Sequence, residues 1–242
     1  MGWDITYHLI SADEITSIYF RGLEDPDHWQ ALAGQFGVDG FYAEQLRKRF
    51  DEARTLEDDI PFNKGHAFYV AIVSGFLRKH HYIRGGAISF MSDDAMFHRY
   101  ASDLQALVPA QYRHLRFDNR LTENYCAGAF LSAEALRRLR DDYATDPQVR
   151  QELDQIFSDG RLPIFFSAVD EALKDGLGLL EATEVVEPNP LDLNRSTSLT
   201  NLLNCYHDGA ILYAETAMQQ IASMKAAKPA PAKKSLWSRF FG

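Results

Sequence analysis

The residues WDITYHLI alternate so that Trp3, Ile5, Tyr7 and Leu9 share one face, which predicts a strand. Ser11 and Glu14 follow at capping-box spacing, and a helix is expected through Ile15, Ile18 and Tyr19 to about Leu23. Asp25-Pro26 opens a short helical segment holding Trp29, Leu32 and Phe36 and closed by Gly37. After Asp39-Gly40, the positions Phe41, Leu46, Phe50 and Ala53 approximate a helical stripe. The acidic loop EDDIPFN then supplies Asn63 as a cap for KGHAFYVAIVSGFLRKHH, a run apolar nearly all round that predicts a buried helix ending near His80 and His81.

HYIRGGAISFM reads as a strand bent or bulged at Gly85-Gly86. Ser92-Asp93-Asp94 caps a helix through Met96, Tyr100 and Leu104, residues 109–122 carry no decisive pattern, and YCAGAFLS suits a short strand. Ser132, Asp146-Pro147 and Pro163 each open a helix, the third ending at Gly176. LLEATEVVEPNP reads as a strand before a turn at Pro188, Asn189 and Pro190, and a last helix is expected from near Ser198, with a break at Asp208-Gly209. Helix should exceed strand several fold, without the strict alternation that a doubly wound sheet needs. The pattern therefore predicts a helix-rich α+β single domain over residues 1–227, followed by a flexible Pro/Ala spacer and a basic, aromatic tail over 228–242.

With 46% hydrophobic and 12% aromatic residues the chain can bury a substantial core. Cys126 and Cys205 fit neither a disulfide framework nor a zinc spacing, which suggests a reducing compartment. The longest apolar stretch, Ala67 to Leu77, is 11 residues, against the roughly 20 that cross a bilayer, and the opening residues lack a secretory leader. A cytoplasmic location is expected, with the tail at most touching the inner membrane surface.

Charge sharpens the contrast between body and tail. All 34 acidic residues precede Met224, against 20 of the 25 basic ones, so residues 1–223 carry a formal −14 while the last nineteen residues carry +5. Such a body disfavours nucleic acid, whose binding rests on neutralising phosphates, and favours a basic partner. In the tail, Leu236, Trp237 and Phe240 fall on one side of a helical wheel, with Lys233, Lys234 and Arg239 elsewhere and Phe241 following. These seven residues form the candidate partner-binding element. Three cations near an anionic surface contribute roughly 1 kcal/mol each, enough for reversible attachment only. The same aromatics would serve as anchors in a protein groove, or fold back onto the acidic body.

Candidate chemistry is sparse. No HExxH, HxH or CxxC is present, and neighbouring His80 and His81 on a helix would point about 100° apart, so no metal or cofactor is implied. NCYHDG places Cys205, His207 and Asp208 together, but an i+2 neighbour on a helix faces away, and a buried Cys205 beside a helix break is the simpler reading. Arg84 beside the double glycine is a candidate anion contact, with an internal ion pair as the alternative. In composition alone, through no shared motif, the chain is similar to bacterial immunity and accessory proteins, which act by covering a partner. That resemblance implies a protein-interaction module of the immunity or adaptor kind. The rival expectation is a hydrolase-like enzyme whose site is assembled from Cys205, His207, His80, His81 and Arg84.

Overall fold

Four strands, β1 (Asp4–Ile10), β2 (His80–Arg84), β3 (Ala127–Leu131) and β4 (Gly178–Thr183), form one antiparallel sheet in the order β2-β1-β4-β3. The computed structural model describes residues 3–56, 64–115 and 117–227. Before β2 come α1 (Ala12–Glu14), α2 (Arg21–Glu24), α3 (His28–Phe36), α4 (Gly40–Ala53) and α5 (His66–Leu77). Between β2 and β3 lie α6 (Asp94–Tyr100) and α7 (Leu104–Leu107); between β3 and β4 lie α8 (Ala133–Thr145), α9 (Pro147–Ile156) and α10 (Arg161–Asp175). A two-stranded ribbon, β5 (Val186–Glu187) with β6 (Thr197–Ser198), precedes α11 (Asp208–Ala227). The chain is thus a helix-rich α+β domain.

Helices cover both faces of the sheet, and β1 is accordingly buried along its whole length. Its Ile5, Tyr7 and Leu9 pack into the core beneath α8, α9 and α10, with Trp3 against the same cluster. Ile10, with Phe130 and Leu180, faces the opposite core, beneath α4 and α5. Every residue of α5 is buried, as its uniform apolarity predicts.

Local signals place most helix ends. Ser11 and Glu14 form the reciprocal capping box, and Asp39, Asp93, Ser132 and Asp146 each accept from a backbone N–H of the helix that follows. Gly37 and Gly176 close α3 and α10 in the left-handed conformation. Asn63 and the acidic run 57–59 lie outside the described residues; α5 starts after Gly65.

Several expectations are corrected. His80 and His81 belong to a strand rather than a helix end, because β1 offers them a pairing partner: His8 lies opposite His80 and Tyr7 opposite His81. That strand stops at the double glycine instead of bulging through it. Gly85 turns at φ 70°, and Ile88–Phe90 form a 3-10 turn. The backbone N–H groups of Ile88 and Ser89 then donate to the buried Glu181 carboxylate at 2.9 and 3.0 Å, as does that of Ala129 at 3.1 Å. The helix opened by Asp93 ends at Tyr100, and Leu104 begins a separate turn. Phe41, expected on the buried stripe of α4, is 67% exposed, and Ala43 takes its place. LLEATEVVE is split by Glu184 at φ 57° into β4 and β5. The last helix begins at Asp208 rather than near Ser198. Among the described residues no helix is long and apolar enough to cross a membrane.

Candidate functional site

β2 is an outer strand of the sheet, and a bare edge exposes unpaired N–H and C=O groups. The stretch after the 3-10 turn Leu202–Asn204 covers it: Cys205 bridges His80, and the Tyr206 N–H donates to the His80 carbonyl at 2.9 Å. α11 then starts against the same strand. A Cβ on Gly209 would stand 1.7 Å from the Tyr82 carbonyl oxygen, so only glycine permits this approach.

Strand geometry sends His80 and His81 to opposite faces. His81 Nε2 lies 2.8 Å from one oxygen of Glu171 on α10, and the Tyr206 hydroxyl donates to the other at 2.9 Å; the two rings stand 4.5 Å apart. Burial lowers the His81 pKa, and the Glu171 carboxylate opposes that shift. His80, fully buried, stacks on His8 with ring centroids 4.9 Å apart and 17° between planes. Thr6 donates to the Ala182 carbonyl at 3.3 Å and so accepts from His8 Nε2 at 2.8 Å. His8 Nδ1 and both His80 nitrogens have no hydrogen-bond partner among the described residues. Burial holds both imidazoles neutral: His8 lies well below the usual value, with His80 adding to the shift, and His80 is down to about 3, with the Arg78 backbone opposing and His81 and Lys79 adding to the shift.

Arg84 pairs with Asp4 at 2.5 Å and lies 4.9 Å over the Tyr213 ring, while the Tyr82 hydroxyl donates to the other Asp4 oxygen. Glu184 joins this group through its carboxylate, which accepts from the Asp4 N–H at 3.3 Å, and burial beside Asp4 pushes its pKa up to about 7. The Arg84 charge is therefore met internally. Burial also pushes the Cys205 thiol up to about 12, with Lys79 pulling weakly the other way.

His207 is exposed and lines a cavity of about 460 Å³ enclosed by the β5–β6 ribbon, the loop after it and the first turn of α11. Val186, Pro188, Leu193, Leu203 and Ile211 make its walls mostly apolar, with Cys205 and Tyr206 alongside. A second cavity, about 230 Å³, is bounded by Phe41, Phe76 and Leu199 with the polar Gln45, Arg49 and Thr200, and shares Leu202 with the first. Leu203 stands 65% exposed, Ile211 45% and Leu193 39%. Together these residues form an apolar groove open to water, larger in reach than the isolated exposed leucine that any surface carries.

Of the five residues weighed for catalysis, Cys205, His207 and the backbone of His80 thus meet at this groove, His81 sits behind it through Tyr206, and Arg84 faces away toward Asp4. Among the described residues no three His, Cys, Asp or Glu side chains are arranged to hold a metal ion. The tail residues Lys233, Lys234, Leu236, Trp237, Arg239, Phe240 and Phe241 lie outside the described residues. Sequence reasoning passed over Glu171, Tyr206, Leu203 and Ile211. One local signal was available: leucines at 191 and 193 inside the Pro/Asn/Asp-rich segment PNPLDLN, where a turn leaves apolar side chains uncovered. Comparison with protein-family models, with curated proteins and with solved structures finds no match to this chain.

Proposed function

We propose that this protein is a protein-interaction module, of the adaptor or immunity kind, that receives an apolar, basic segment of a protein partner in the groove between the β5–β6 ribbon and α11. The observation that carries the reading is the pair of adjoining cavities rimmed by Leu193, Leu203, Ile211 and Phe41, all large and exposed. Open apolar grooves of this kind take side-chain anchors from a partner. The charge around the larger cavity suits a basic segment: Glu171, Glu187, Asp192 and Asp208 stand on or beside its lining residues, against Lys79 and Arg195, while Arg49 in the second cavity is paired with Glu52.

Nucleophilic catalysis at the same place is disfavoured by the chemistry of its members. A thiol pushed up to about 12 is not a thiolate at neutral pH, and the fully buried His80 imidazole is not placed to act as its base. The test uses tagged wild-type protein in extract from its native host beside the Leu203→Glu and Ile211→Glu variants. A specific partner should be retained by the wild type, fall away as salt rises, and drop at least tenfold with either variant, as expected for losing an anchor of about 1.4 kcal/mol or more. Equal retention by all three proteins would end this reading.

A further inference from the structure

We infer that the groove is occupied, in the free protein, by the chain's own C-terminal segment, with Trp237, Phe240 and Phe241 seated against Leu203 and Ile211. The inference rests on the reading of the groove as a docking surface and names its resident occupant. Three observations support it. The first is reach: Ile211, at the groove, and Ala227, at the end of α11, are 16 residues apart, or about 24 Å at 1.5 Å per residue. Trp237 is the tenth residue beyond Ala227, and ten extended residues span about 33 Å, enough to return along the helix.

The second is the path. Ile211 and Met218, one heptad apart on α11 and hence on the same side of the helix, are both exposed and give the returning chain an apolar track to the cavity. Pro229 disfavours continuing the helix through residue 228, the point where a reversal is required. The third is charge: the segment carries Lys233, Lys234 and Arg239 and no acidic residue, and it meets a groove beside which Glu171, Glu187, Asp192 and Asp208 outnumber Lys79 and Arg195. At an effective concentration of about 1 mM for a short linker, an intrinsic affinity of about 0.1 mM keeps the groove roughly ten-to-one filled. A partner then binds by displacing the segment, which it resembles in being basic and aromatic.

The full-length chain tests this through Trp237, whose emission is the difference between the spectra of the wild type and the Trp237→Phe variant. In the wild type that component should be blue-shifted and shielded from acrylamide, with quenching at least threefold below that of a synthetic 229–242 peptide, and unchanged over a hundredfold range of protein concentration. Leu203→Glu and Ile211→Glu, both at exposed positions and checked for an unchanged circular dichroism spectrum, should restore peptide-like quenching. A Trp237 component already peptide-like in the wild type overturns the inference. So does shielding that rises with protein concentration, which makes a second copy the occupant, or shielding that needs anionic vesicles, which makes it a membrane. Shielding indifferent to both groove variants overturns it as well. Partner retention separates the two readings: if Trp237 is water-exposed while Leu203→Glu still abolishes retention, the docking surface stands and its resident occupant does not. If the segment does sit in the groove, removing residues 228–242 should tighten partner binding about tenfold.

Discussion

The stacked pair His8 and His80 makes this fold sensitive to acid. Both imidazoles are held neutral by burial, His80 down to about 3 against an ordinary 6.5, so between those values the unfolded chain binds protons that the folded chain refuses. Stability from this pair is full above pH 6.5 and is lost as pH falls toward 3, at about 1.4 kcal/mol for each tenfold difference in proton affinity. Glu184 acts in the opposite sense. Its carboxyl is pushed up to about 7 from an ordinary 4.5, so the folded state holds its proton more tightly, and that contribution is lost as pH rises through 7. Replacing His80 with Leu should move the acid unfolding midpoint to lower pH, and Glu184→Gln should flatten the decline between pH 5 and 8, both read from denaturant titrations at stepped pH. An acid midpoint unmoved by His80→Leu would exclude the imidazole as its source.

At the level of elements, the decisive contact is α11 on the edge of β2. Because a Cβ at Gly209 would meet the Tyr82 carbonyl at 1.7 Å, Gly209→Ala must push the helix start away from the strand, opening the groove wall that Ala210 and Ile211 form. The expected cost is on the order of 3 kcal/mol in chemical denaturation, the upper end for forced overpacking. A loss within about 0.5 kcal/mol, as at an ordinary surface site, would show that the helix start adapts freely.

This same edge marks where the sequence could be read and where it could not. Helix ends were legible wherever the signal is local: Ser11 with Glu14, Asp93, Ser132, Asp146 and Gly176 each act within four residues of themselves. The strand after His81 was legible too, from its own apolar residues, but its start at His80 and its antiparallel partner were not, since these depend on β1 more than seventy positions earlier. The start of α11 was hidden for a related reason. The helix was expected from near Ser198, but β6 pairing and the cover over β2 claim that stretch, and the helix waits until Asp208. Of the candidate site, the cysteine and histidines were visible as residue types. The groove was not, because it is made by a ribbon, a loop and a helix start meeting in space.

For the whole molecule, the charge asymmetry and the groove bear on one another. Described residues from both halves of the chain pack both faces of the sheet, so removal of residues 228–242 should leave the cooperative unfolding transition intact. If the segment is docked ten-to-one in the native state, its removal costs about 1.4 kcal/mol, roughly RT ln 11. Thermal unfolding of the shortened chain should therefore show a modest fall of a few degrees. A loss comparable to a core truncation, about 3 kcal/mol or more, would mean instead that the segment is part of the core.

The position of β1 sets the order in which the molecule can be completed during its synthesis. This strand, made well before β4, lies between β2 and β4, and its pairing with β4 joins Ile5 to Thr183 and Ile10 to Gly178. At roughly 5–20 residues per second, translation leaves β1 without that neighbour for about ten seconds or more. Until then its hydrogen-bonding side toward β4 is an open edge on a strongly apolar strand, a template for wrong pairing on a crowded ribosome. The helices α8, α9 and α10, which follow directly on β3 and pack over one face of β1 in the finished fold, are synthesised before β4, so that face has its cover available before the strand gains its second neighbour.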